Sequence, residues 1–167
     1  MADQLAQVNV ARLRHPLTAP ETAAFVAGLA PVNALADAAP GFVWRLQDDS
    51  GDATGIRVDG DPLLIVNLSV WEAIEALWAF VHSDGHLPYL RRRREWFTRM
   101  AGRSLACWWV PAGHRPATGE ALARLARLEA DGPGPEAFDL QRPYDPDGDP
   151  LPPAAAAFRS RSSPSPR

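Results

Sequence analysis

Lysine is absent from this chain of 167 residues, so all 17 Lys-plus-Arg positions are arginines. Arg, Ala, Pro and Gly are abundant together, a pattern of coding bias that assigns no special guanidinium chemistry. The single cysteine, Cys107, excludes intrachain disulfides and thiolate metal clusters. Net charge is only −3, and the run Arg91 to Arg94 is offset by Glu95 and by acidic residues elsewhere. No global field therefore favours nucleic acid or an anionic membrane, and neither is expected as a partner. No apolar run reaches membrane-spanning length, and the N-terminus lacks the charged-then-apolar pattern of a secretion signal. A soluble cytoplasmic protein is the expectation. No phosphate-cradling loop, metal set or activated nucleophile is legible, so the motifs force no particular reaction.

What is present centres on Leu64 to Met100. Leu64, Val66, Leu68 and Val70 alternate with Ile65, Asn67, Ser69 and Trp71, which predicts a strand with one purely apolar face and one mixed face. The apolar face suits a layer of helices; the mixed face suits a pocket. Ile74, Leu77, Trp78 and Val81 recur at helical spacing, so an amphipathic helix is expected to fold back over the apolar face, broken by Asp84 and Gly85. From Pro88 a second helix runs to Met100, with Tyr89, Leu90, Trp96 and Phe97 inward and the four arginines outward.

Earlier in the chain, residues 4–12 read as a strand with Ala6, Val8 and Val10 on one face and Gln7 and Asn9 on the other. Thr18 and Glu21 have capping-box spacing before a helix with Phe25, Leu29, Val32 and Ala36 on one stripe, which Pro31 should kink or divide. Phe42 to Gln47 and Thr54 to Val58 read as a hairpin around a polar turn of aspartates. Leu105 to Val110 is another strand, followed by a helix from Thr118 to Gly132 and a short edge segment at Ala137 to Arg142. This order predicts an α+β domain over residues 1–142, an antiparallel sheet of ferredoxin-like type with helices on one face. Residues 143–167, rich in Pro, Ala, Ser and Arg, read as a disordered tail.

The segments LAQVNVARL, GFVWRLQ, DATGIRV, VNLSVWEAIEALWAFV, a histidine followed by YLRRRREWF, and WWVPAGHRP together resemble a known group over residues 4–142. They are similar to the small dimeric α/β-barrel proteins of the antibiotic-biosynthesis-monooxygenase type, and within them to a bacterial family whose domain has no assigned function. The resemblance implies a homodimer of ferredoxin-like subunits joining their sheets, with a pocket between sheet and helices in each. In relatives that are enzymes, it implies oxygenation of polyketide-like aromatics or haem binding; other relatives isomerise lactones. Fold alone does not choose among these.

The candidate site residues each have a plainer reading beside the functional one. Asn9 and Asn67 sit on the pocket faces of their strands, where they can hold a carbonyl or bound oxygen, as the resemblance implies, or satisfy buried backbone groups. His86 is the better general base of the pair His82 and His86, because it lies at a helix start. Trp71 and Trp109 offer aromatic surface to a substrate or to a core. Arg45 and Arg57 can bind an anionic or carbonyl oxygen, or pair with the cluster Asp48 to Asp52; Arg93 is the arginine of its run that could reach inward. His114 can line a pocket mouth.

No metal and no cofactor are expected. Haem in particular is not, since by the resemblance Phe80 and Leu90 replace the marker residues of haem-degrading relatives. A homodimer is expected through the sheet face, which would carry Trp44, Trp71, Trp108 and Trp109. Two readings follow: a cofactor-independent monooxygenase-like enzyme acting on a small aromatic or polyketide-like molecule, or a dimeric small-molecule-binding or assembly module without turnover.

Overall fold

The computed structural model describes residues 2–56, 58 and 60–156. Its centre is β1 (Gln4–Leu13), an alternating strand as the sequence predicts. A short turn of tight helix, Pro20–Thr22, leads into α1 (Ala23–Asp37), and β2 (Phe42–Arg45) follows. Next come β3 (Leu64–Trp71), α2 (Ile74–Val81), α3 (Leu87–Trp96), β4 (Phe97–Thr98), β5 (Leu105–Val110) and α4 (Thr118–Asp131). The five strands form one antiparallel sheet in which β3 lies between β2 and β1, while β5 and β4 share the far side of β1. Setting the two-residue β4 aside, the spatial order β5-β1-β3-β2 is the ferredoxin-like arrangement expected, and the α+β class holds.

The parity of β1 sorts the side chains. Val8 stands opposite Leu68 and Ala106, so Ala6, Val8, Val10, Val66, Leu68, Val70, Ala106 and Trp108 share one face. They are buried with Ala121 and Leu128, which places α4 over this apolar face. Leu5 stands opposite Trp71 and Trp109 on the other face, and these residues cluster with Ile74 and Leu77 of α2. Phe25 of α1 meets Phe97 edge-on at 5.1 Å, and Phe97 is paired with Leu13 on this same side.

Thus α1, α2 and α3 lie over the mixed face, the reverse of what amphipathicity suggested for α2. The reason is topological. β1 and β2 are parallel to one another, as are β3 and β5, and right-handed crossovers between such pairs put both helical connections on one side of the sheet. Only α4, beyond the last crossover, is free to cover the apolar side.

Several local expectations are corrected. Thr18 does not cap a helix; α1 starts at Ala23, and Thr22 Oγ1 instead donates to the carbonyl oxygens of Pro16 and Ala19 at 2.7 and 2.8 Å. Pro31 lies within α1 without dividing it, on a side exposed to solvent, where a carbonyl left without its helical donor is hydrated. Among the described residues no second hairpin strand pairs with β2: Ser50 N and Thr54 N donate to Asp48 Oδ1 and Asp52 Oδ1, each at 2.7 Å, local bonds that compete with a sheet ladder. α3 stops at Trp96, and Phe97 and Thr98 leave as β4.

The expected edge segment is not a continuous strand: Phe138 bridges to Cys107 of β5, and Ala137 and Arg142 make local bridges to Gly134 and Asp139. Past the expected boundary at 142 the chain stays packed: Trp109 Nε1 donates to Tyr144 O at 2.8 Å, Leu151 N to Pro143 O at 2.8 Å, and Ala154 is buried. Residues 157–167, the rest of the expected tail, lie outside the described residues.

The sheet face expected to expose tryptophans for a dimer is covered within one chain. Trp71 and Trp108 are 1% and 0% exposed, because α2 and α4 lie over them. No helix among the described residues is long and apolar enough to cross a membrane.

α1 approaches α3 closely at Gly28, where an added Cβ would stand 2.1 Å from Cε1 of Tyr89. Gly28→Ala should lower the urea midpoint: the gain in helix propensity, about 1 kcal/mol, is outweighed by overpacking of about 1–3 kcal/mol. In a Tyr89→Ala background the same substitution should raise the midpoint, since only the propensity effect is left.

Candidate functional site

The helix-covered face of the sheet carries two adjacent polar rungs, Gln7 opposite Ser69 and Asn9 opposite Asn67. At one end the face is closed by α2 against Leu5 and Trp71, and at the other by the rings of Phe25, Trp96 and Phe97 near Leu13. Between these closures it is open: Asn67 is exposed and Asn9 half-buried. Neither amide has a hydrogen-bond partner among the described residues, so the two expected candidates are brought together, directly across the β1–β3 ladder, with donors and acceptors to spare.

Trp71 does not present its indole to this opening. Its ring stacks on Phe80 at 5.2 Å and meets Phe42 edge-on at 5.3 Å, and its Nε1 donates to Ser69 Oγ at 2.9 Å. Ser69 Oγ in turn donates to Gln7 Oε1 at 3.1 Å. Trp71 is therefore a buried organiser of the first rung rather than a stacking platform. Gln7 and Ser69 were not among the candidates. Their signal was available in the same alternation that exposed Asn9 and Asn67, two residues along each strand.

His86 sits at the start of α3, with its ring 4.9 Å from that of Phe80. Its Nδ1 lies 2.9 Å from Val81 O, and a carbonyl only accepts, so Nδ1 carries the proton and Nε2 is left as a possible base. Burial holds its pKa below the usual 6.5; the Val81 carbonyl opposes this and the nearby His82 adds to it. His82 makes the same kind of bond, Nδ1 to Trp78 O at 2.9 Å, and stacks on Trp78 at 4.1 Å, so the two histidines do not converge on one ligand.

The other expected binding residues are engaged elsewhere. Arg45 forks onto Asp37 at 2.8 and 3.1 Å and donates to Gly51 O at 2.8 Å; its carboxylate partner comes from α1, not from the aspartate-rich turn. Arg57 lies outside the described residues. Trp109 is held by Tyr144. His114 is exposed, and its Nε2 meets Glu120 Oε2 at 2.8 Å, while Glu120 Oε1 accepts from Trp108 Nε1 at 3.1 Å. Arg93 is exposed rather than inward, and Arg92 pairs with Glu95 while lying 4.9 Å from the centroid of the Trp96 ring. Cys107 is fully buried, and burial with the nearby Asp139 pushes its thiol pKa up, so it is no nucleophile.

Two clefts are measurable on the surface. The larger, about 620 Å³, opens between the end of α1 and α2, with Leu35, Ala39, Ala76 and Phe80 among its lining and Glu72 beside them. The smaller, about 370 Å³, follows α4. None of Asn9, Asn67, Trp71 and His86 lines either, so the expected sheet-to-helix pocket is not one of them. Among the described residues no group of three or more His, Cys, Asp or Glu side chains converges as a metal site.

The depressed pKa of His86 makes stability depend on pH in a definite sense. Above pH 6.5 the ring is neutral in both folded and unfolded chains, and its contribution is fully present. As pH falls below that value the unfolded chain takes the proton first, and stability is lost. Between about pH 7.5 and about pH 5.5 the urea midpoint should therefore fall further for the native protein than for His86→Asn, which keeps a donor for Val81 O but does not titrate.

Comparison with known proteins places this geometry in context. A domain family of unknown function, DUF3291, matches residues 4–153, a longer span than the resemblance drawn over 4–142. No curated protein matches the chain in sequence. Among solved structures it is similar to SnoaB, a cofactor-independent oxygenase from Streptomyces nogalater, at 22% identity and a TM-score of 0.46, covering 71% of this chain and 100% of that one. A protein from Shewanella oneidensis is similar at 13% identity and a TM-score of 0.49, covering 66% and 93%. A protein of unknown function from Nitrosomonas europaea is similar at 14% and 0.46, covering 70% and 97%. With a match that spans nearly the whole described sheet and its helices, the chain belongs to the DUF3291 family.

Proposed function

We propose that this chain is a cofactor-independent oxygenase-type enzyme acting on a small aromatic or polyketide-like ketone over the rung formed by Asn9 and Asn67. The observation that carries the reading is that rung: two opposed amides on the helix-covered face, without protein partners among the described residues and open at Asn67. Amide donors placed there suit a substrate carbonyl that gains negative charge when a neighbouring C–H is deprotonated. The resulting enolate supplies its own electrons to dioxygen, so no resident redox group is required. For an anthrone, one dioxygen converts the ring CH₂ to C=O and releases one water. His86 Nε2, left free by the bond of Nδ1 to Val81 O, is the candidate proton acceptor.

A second reading, a ligand-binding or assembly module without turnover, is favoured by the internal bonds of Arg45, Trp71, Trp109 and His114. Homodimerisation, which the resemblance implies, belongs to either reading.

Oxygen uptake with dithranol, a dihydroxyanthrone, separates the two. Uptake above the autoxidation rate, matched mole for mole by the quinone, is expected, and Asn67→Ala should reduce it by roughly 10²-fold. Saturable binding of dithranol with no added uptake would select the second reading, and absence of both would remove the site altogether.

A further inference from the structure

We infer that Gln7 is a ligand-contacting donor of the Asn9 and Asn67 site, selecting a carbonyl or oxyanion acceptor on the bound molecule, and that Ser69 and Trp71 lock it in that sense. The inference rests on the ligand site proposed above and adds to it a further residue, Gln7, and the hydrogen-bond chain that orients it.

Indole Nε1 is a donor only, so in the contact between Trp71 and Ser69 the hydroxyl oxygen must accept. The hydroxyl hydrogen is turned to its other neighbour, Gln7 Oε1 at 3.1 Å. Gln7 must then present its oxygen to Ser69, and its NH₂ group points away from that bond. The orientation of the amide follows from the hydrogen-bond chain, with no freedom to flip unless Ser69 turns as well.

Gln7 is only 7% exposed, and its amide nitrogen has no partner among the described residues. An acceptor brought by a ligand can pair with this nitrogen without displacing a protein bond. Among the described residues no fully enclosed polar side-chain atom lacks a partner, so this nitrogen keeps an opening to the outside. Gln7 is on the same face as Asn9, two residues before it, and neighbouring rungs of this kind are about 7 Å apart. A fused-ring ketone spans that distance. Arg45, whose partner across the sheet is Ser69, is already neutralised by Asp37, so this part of the face offers neutral donors rather than a free cation. The preference is for a carbonyl or a delocalised oxyanion over a carboxylate or phosphate.

The test follows the side-chain amide resonances of Gln7 and Asn67 in the full chain during titration with danthron, the quinone formed from dithranol. Both amides should shift saturably, and Gln7→Glu, which keeps an acceptor for Ser69 but offers no outward donor, should weaken binding by about tenfold. Ser69→Ala should move the Gln7 resonance in the free protein and weaken binding as well, because the amide is released to flip. If Asn67 shifts while Gln7 does not, or if Gln7→Glu binds danthron as tightly as the native protein, the role of Gln7 is overturned and the ligand site stands. If neither amide moves, both are overturned. Should Gln7→Glu fail to fold by circular dichroism, the native amide shifts and Ser69→Ala decide.

Discussion

β1 is bonded along both edges, to β3 on one side and to β5 and β4 on the other, and every other part of the molecule takes its position from that double pairing. Because successive side chains alternate across a strand, pairing in this register makes one decision for three strands at once. Val8, Leu68 and Ala106 fall to the α4 side; Gln7, Ser69 and Cys107 fall to the other. A slip of β1 by one residue would bury Gln7 and Asn9 beneath α4 and turn Ala6, Val8 and Val10 away from it, an outcome strongly penalised by both desolvation and lost apolar burial.

The same parity explains how polar groups come to lie on a covered face without being wasted there. Leu5 and Trp71 anchor α2 at one end of the face, and Leu13 with Phe97 anchors α1 through Phe25 at the other. Neither anchor reaches the centre, so the rungs of Gln7 and Asn9 sit between two apolar closures. The first rung is structurally committed through Trp71; the second is not. The face thus divides into a rung held by internal bonds and a rung whose amides have no partner among the described residues.

Much of this was legible in the chain. The alternation at 64–71 located β3 to the residue, and β-propensity at Leu105 to Val110 located β5, because both strands are rich in β-branched and aromatic residues and largely buried. The candidate pair Asn9 and Asn67 followed from the same alternation. For Trp71 the core reading is the one the structure bears out, while its partners were not legible: its indole nitrogen is held by Ser69, and its ring by Phe42 and Phe80, residues that sequence spacing does not bring together. Arg45 was misread for a similar reason, since Asp37 is eight residues away across a helix end while the aspartates of the turn are nearer in sequence. The hairpin failed where Asp48 and Asp52 capture backbone N–H groups, a local chemistry that overrides a weak strand pattern.

The amino-acid sequence by itself determined most of the element types, the alternating faces of β1 and β3, and the polar side chains that share a face with Asn9 and Asn67, since these depend on local periodicity and side-chain chemistry. Only the tertiary structure decided which face the helices cover, which polar groups are already spent, and how far the packed chain extends past residue 142. Amphipathicity says that α2 has a buried side and nothing about which layer it meets. The right-handed crossovers of a twisted sheet carried α1, α2 and α3 to the polar face and left the apolar one to α4.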